Sequence, residues 1–83
     1  MTEAEIRKTV LDALASVAPE LDEATLLPDR NFREQLDIDS MDYLNFVIAL
    51  DEEFKANIPD SDFTKFTTLN GCIEQLESYL SRN

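Results

Sequence analysis

Histidine is absent from the chain, and this absence narrows the chemistry. It removes the usual general base, the commonest metal ligand and every Ser–His or Cys–His nucleophile pair. Cys72 is the single cysteine, so an internal disulfide and a cysteine metal cluster are both excluded. One glycine and three prolines in 83 residues leave little material for tight turns, which points to helices. Basic residues are scarce as well: seven stand against eighteen acids, for a formal net charge of −11. Nucleic acid and anionic membranes repel such a surface, whereas basic protein faces are steered toward it. Long apolar runs are missing too, so neither a signal peptide in residues 1–20 nor a transmembrane span is expected. What is left is one small acidic domain over residues 1–83, expected to be soluble, cytoplasmic, monomeric and not an enzyme.

Hydrophobic residues make up 43% of the chain, enough for one core but not two. Thr2 followed by Glu5 is a capping-box pattern, and Ile6, Val10, Leu14 and Val17 follow at helical spacing. A first helix is therefore expected over 3–17, ending before Pro19. Residues 18–38 read as a long ordered loop, tacked to the core by Leu21, Leu26, Leu27, Phe32, Leu36 and Ile38, with room for a short helical turn. A second helix should start at Asp39 or Ser40 and stop near Lys55 or Ala56, before Pro59. A short third helix is expected from Asp60 or Ser61 to Phe66, with Phe63 and Phe66 on one side. Thr67 or Thr68 then caps a last helix carrying Leu69, Cys72, Ile73, Leu76, Tyr79 and Leu80. The fold class is all-α: a small four-helix bundle of three longer helices and a short third one, with a long loop between helices one and two.

The second long helix has two apolar faces. At 3.6 residues per turn, Tyr43, Phe46, Val47, Leu50 and Phe54 fall within an arc of roughly 100°. Met41, Leu44 and Ile48 cluster roughly 145° away, bordered by Asn45, Asp51 and Glu52. A wide buried stripe, partly covered by the long loop, is one account of the second face. A strip for docking a partner, apolar in the middle and acidic at its edges, is the other. Charge favours docking: residues 34–53 hold Glu34, Asp37, Asp39, Asp42, Asp51, Glu52 and Glu53 but no Lys or Arg.

At the head of this helix, residues 37–43 read DIDSMDY, one serine among three acids. A helix cap would explain Ser40 cheaply. Asp39 can take that role instead, leaving the Ser40 hydroxyl facing solvent, where the positive end of the helix dipole favours an anion such as a phosphate ester. Asp37-Ile38-Asp39 also hints at a calcium loop, but an EF-hand needs Gly at its sixth position and Glu at its twelfth. Those places hold Asp42 and Ile48, so no metal site is assigned, although the acidic patch suits weak divalent binding.

The segment LDIDSMDYLNFVIALDEEF, residues 36–54, resembles the prosthetic-group region of acyl carrier proteins. In that family an Asp-Ser-Leu or Asp-Ser-Met sequence opens helix two. The likeness continues through Ile58-Pro59-Asp60 and Thr68-Leu69, and the long first loop is also a family trait. The resemblance implies that Ser40 carries 4′-phosphopantetheine, transferred from coenzyme A by a phosphopantetheinyl transferase with Mg²⁺. It implies acyl groups held as thioesters on that arm, in fatty-acid, lipid or polyketide-type synthesis. It implies that Asp39 and Asp42 help a basic carrier synthase dock. It implies further that Met41, Leu44, Ile48, Asp51 and Glu52 meet acyl-loading and acyl-processing enzymes with basic faces. Phe46, Leu50 and Phe54 match core positions, some near the cavity where family members shelter an acyl chain.

Two positions depart from the family pattern. Asp37 stands where Gly is common, and Asn45 where Glu is frequent. Both belong to the expected docking surface, and with the bulky Tyr43 and Phe46 they suggest a specialised carrier rather than a housekeeping one. An aminoacyl or peptidyl carrier, including the D-alanyl carriers, is the alternative within the same class. An unmodified helical interaction domain is the alternative outside it. Cys72, on the apolar face of the last helix, reads as a buried small residue rather than a rival acyl thiol.

Overall fold

In a computed structural model of the protein, which describes residues 2–81, the chain is built entirely of helices and their connections. Helix α1 spans Glu3–Val17, as the spacing predicts. Its capping box is formed: Thr2 Oγ1 accepts from Glu5 N–H, and Glu5 Oε1 accepts from Thr2 N–H. The helix stops where Ala18 N–H bonds back to the Leu14 carbonyl, just before Pro19. Helix α1 packs against both long helices that follow, so Ile6, Val10, Leu11 and Leu14 lie in the centre of the core.

The loop does contain its short helical turn, α2, over Phe32–Gln35, with Asn31 as the N-cap. Phe32 is fully buried and meets Phe46 edge to face, with ring centroids 5.5 Å apart. The Phe32 N–H donates to the Thr67 carbonyl at 2.8 Å, tying the loop to the far end of the chain. Ile38 is buried as well, and Leu21, Leu26 and Leu36 pack against the core. Leu27 departs from expectation. It is 53% exposed, because its backbone rather than its side chain is what is held. Gln35 Oε1 accepts from Leu27 N–H, and Gln35 Nε2 donates to the carbonyls of Leu27 and Arg30. This clasp satisfies the turn while the leucine points outward.

Helix α3 spans Ser40–Phe54 and ends at Lys55, which adopts a left-handed conformation at φ 51°. The expected third helix forms as a 3-10 helix over Asp60–Lys65, with Phe66 just beyond it and fully buried. Tyr43 OH donates to the Phe63 carbonyl, and Tyr79 OH donates to the Asp62 carboxylate, so the 3-10 helix is bonded to the helices on both sides. Helix α4 covers Leu69–Ser81, and Thr68 rather than Thr67 caps it: Thr68 Oγ1 accepts from Gly71 N–H at 2.9 Å. Leu69, Cys72, Ile73, Leu76 and Tyr79 are buried along its inner face. Each fully buried large side chain of this core is worth about 1.5–3 kcal/mol relative to exposure. The Arg7–Glu23 and Lys8–Asp12 pairs lie exposed at the surface, where solvent screening leaves an ion pair little to contribute.

Gly71 lies inside α4, where helix propensity alone favours alanine by about 1 kcal/mol. Packing reverses that preference. A Cβ at this position would stand 2.9 Å from the Lys65 carbonyl oxygen and 2.9 Å from Thr68 Oγ1, one a backbone atom and the other the capping oxygen itself. Gly71→Ala is therefore expected to lower the melting temperature; a rise would show that the close approach imposes no constraint.

Candidate functional site

The start of α3 divides its tasks between neighbouring residues. Asp39 Oδ1 accepts from Asp42 N–H at 2.8 Å, and Asp42 Oδ2 accepts from Asp39 N–H at 3.2 Å. This reciprocal capping box satisfies helix donors that a serine cap would otherwise have to serve. Ser40 falls at the first helical position, is exposed, and its hydroxyl has no hydrogen-bond partner among the described residues. It stands at the positive end of a 15-residue helix dipole, which suits an anionic ester on its oxygen.

Four large hydrophobic residues are exposed among those described, and three of them lie on α3: Met41 at 66%, Leu44 at 39% and Ile48 at 42%. The loop does not cover this face, so the account of a wide buried stripe fails. The opposite arc behaves as a core face, with Phe46, Val47, Leu50 and Phe54 buried and Tyr43 half-buried. Around the exposed strip, Asp37, Asp39, Asn45 and Glu52 are exposed, whereas Asp42 and Asp51 are half-buried.

Three acids of the expected docking set also have internal work. Asp39 and Asp42 form the capping box, and Asp51 Oδ1 accepts from Ile58 N–H at 3.2 Å across the end of the helix. No spacing rule reports the Asp51 bond, because its partner lies in an irregular segment. Asp37, where the resembled family commonly has Gly, does not adopt a positive φ; among the described residues only Lys55 and Asn57 do. An ordinary side chain is accommodated there without strain.

Three surface clefts lie away from these residues. One, of about 280 Å³, opens between α1 and α3 and is lined by Thr9, Asp12, Ala13, Ala49 and Glu53. Phe46, Leu50 and Phe54 line none of the three; their side chains are packed into the core. Cys72 is fully buried, and burial pushes its thiol well above the ordinary value of 9.0. A thiol without thiolate character and without access is not an acyl acceptor. Burial likewise raises Tyr43 from 10.0 to about 12, with a smaller upward push from Cys72 and a downward one from Arg33.

Comparison with known proteins agrees with this arrangement. Residues 8–76 match the family described as the phosphopantetheine attachment site. The acyl carrier protein of Lactobacillus johnsonii is 35% identical over 79 residues, covering 95% of this chain and 98% of that protein. The acyl carrier protein of Lactobacillus acidophilus is 33% identical over 79 residues, with the same coverage. The chain belongs to the phosphopantetheine-binding carrier family, the acyl carrier proteins. It is a carrier rather than a catalyst, and 4′-phosphopantetheine is its covalent prosthetic group. The residues present fit that group: an exposed, unpartnered serine hydroxyl stands at a helix N-terminus. Among the described residues, no helix is long and apolar enough to cross a membrane.

Asp39→Ala removes the cap and is expected to cost about 1 kcal/mol, whereas Ser40→Ala should change stability by no more than about 0.5 kcal/mol. Urea unfolding of both variants checks this assignment, and a larger loss from Ser40→Ala would return the cap to the serine. Tyr43 and Cys72 generate a second expectation. Both are raised in the folded state, so their neutral forms support folding fully below the unfolded values of 10.0 and 9.0. That support is lost as pH rises above 9.0 and, for Tyr43, through about 12. The melting temperature should fall over this alkaline window, and less steeply in Tyr43→Phe.

Proposed function

We propose that the chain is an acyl carrier whose prosthetic arm is attached to Ser40 and whose cargo is acyl groups for fatty-acid, lipid or polyketide-type synthesis. The observation that carries this reading is the division of labour at the head of α3. The Asp39–Asp42 box takes the capping role, and the Ser40 oxygen is left accessible beside an exposed apolar strip. A phosphopantetheinyl transferase with a basic face is the partner expected first, delivering the group from coenzyme A to the Ser40 oxygen. The bound group supplies a terminal thiol that holds acyl groups as thioesters.

The chain's own residues supply the rest. Met41, Leu44 and Ile48 offer partners an apolar grip, and Asp37, Asp39, Asn45, Glu52 and the half-buried Asp42 and Asp51 frame it. With a net charge of −11, basic enzyme faces are drawn to this helix by long-range steering, which raises the rate of encounter more than its lifetime. The tether then raises the effective concentration of the cargo at each enzyme. Asp37 and Asn45 are the positions that set this docking face apart from the common family pattern, and they are where a preference for particular partner enzymes is expected to reside. We place the protein in the cytoplasm as a monomeric single-domain carrier.

Incubation with coenzyme A and a broad-specificity transferase should add one phosphopantetheine to the wild type by intact mass and none to Ser40→Ala. An adduct that persists in Ser40→Ala, or none in the wild type, contradicts the reading. Loading of the holo form by fatty-acyl rather than aminoacyl synthetases separates an acyl cargo from an aminoacyl one.

A further inference from the structure

An ester on Ser40 adds a negative charge to the most acidic part of the chain. Asp39 precedes the serine directly, and Asp42 closes the capping box around it. Both carboxylates already accept N–H groups at this helix end, so the positive pole of α3 is shared before any phosphate arrives. Neighbouring charges lie inside the Debye length of about 8 Å at physiological ionic strength, and salt does not hide them from one another. Residues 34–53 contain no Lys or Arg. Any counter-charge comes from another element of the chain.

The chain has seven basic residues, of which Arg82 lies outside the described residues. Arg7, Lys8 and Lys65 are paired with Glu23, Asp12 and Asp62. Lys55 closes the far end of α3, roughly 22 Å from Ser40 at about 1.5 Å per residue. Arg30 and Arg33 remain, and neither is in an ion pair among the described residues. Arg30 belongs to the turn that Gln35 clasps beside Leu27. Arg33 follows Phe32, whose ring meets Phe46 with centroids 5.5 Å apart, and the Phe46 ring in turn lies 6.4 Å from that of Tyr43. Helix α2 is thereby seated on the first two turns of α3, with Arg33 exposed. The positive charge of Arg33 acts on the Tyr43 phenol, one turn beyond Ser40 on the same side.

We propose that Arg33 binds the prosthetic arm: its guanidinium takes the phosphodiester on the Ser40 oxygen and supplies the cation that the head of α3 lacks. The planar fork suits two oxygens of a phosphate, and a charge-assisted pair of this kind is stronger than a neutral hydrogen bond. The contact also fixes the side on which the arm leaves. At about 100° per residue, Tyr43 stands about 60° to one side of Ser40, and Ile48 and Met41 stand about 80° and about 100° to the other. An arm drawn toward Arg33 runs along the Tyr43 side and leaves the strip of Met41, Leu44 and Ile48 uncovered for partners. The inference rests on the carrier reading given above, and its tests keep the two apart.

Loading with coenzyme A and a broad-specificity transferase is verified by intact mass. No adduct on the wild type overturns the carrier reading and this inference with it. In proton–nitrogen NMR spectra of the arginine side chains, the Arg33 Nε–H signal should be displaced in the loaded wild type relative to the unloaded one, with Arg30 unmoved. Ser40→Ala treated identically should show no displacement. Melting temperatures then test the charge pair itself, each variant being compared with its own unloaded form. Loading should lower the melting temperature of Arg33→Gln relative to its effect on the wild type, because the ester then meets the carboxylates unopposed. Arg33→Lys, which keeps the charge but not the fork, should fall between, and Arg30→Gln should match the wild type. An Arg33 signal that stays in place on loading, one displaced no more than that of Arg30, or an equal effect of loading on Arg33→Gln and the wild type overturns this inference alone and leaves the arm on Ser40.

Discussion

The reciprocal bonds between Asp39 and Asp42 are the constraint on which the rest of this molecule turns. They set where α3 begins, and a helix start sets the direction of every side chain after it, at 100° per residue. Phe46, Val47, Leu50 and Phe54 are thereby aimed into the core. Met41, Leu44 and Ile48 are aimed away from it. The box also settles what Ser40 does not do. Two neighbouring carboxylates cap the helix, so the proposed ester at the hydroxyl between them breaks no bond of the fold. In a small domain with a modest margin of stability, a modification site with no part in folding can change state without unfolding the protein that bears it.

Acidity at this helix has two meanings, and the structure separates them. Asp37 and Glu52 are exposed and make no bond within the described residues, so their charge is available to partners. Asp39, Asp42 and Asp51 accept backbone N–H groups, so their charge is shared between the fold and whatever docks. Under the docking proposal, replacing one of the first pair is expected to perturb recognition alone. Replacing one of the second group is expected to perturb recognition and stability together, and the two effects must be measured separately before either is assigned.

Much of this was legible in the sequence, because much of it is periodic. Thr2 and Glu5 mark the start of α1, Pro19 its end, and the spacing of apolar residues gives α3 its two faces and α4 its one. Those signals are local: each depends on residues three or four apart. What stayed hidden depends on residues far apart in the chain. The Tyr43–Phe63 and Asp51–Ile58 bonds join a helix side chain to irregular backbone 20 and 7 residues away, and no spacing rule reports them. Leu27 was misread for a related reason: an apolar residue in a loop looks like an anchor until a clasp such as Gln35 is seen holding the backbone instead. The 3-10 character of Asp60–Lys65 was likewise invisible, since six residues are too few to distinguish one helical period from another.

The central claim is that the Ser40 oxygen, released from capping by its neighbours, bears the prosthetic group. Tandem mass spectrometry of the loaded protein, cut to release the peptide spanning residues 36–54, addresses it most directly. The account predicts one phosphopantetheine on that peptide, localised to Ser40. An adduct on any other hydroxyl of the chain, or on the Cys72 sulfur, would contradict it.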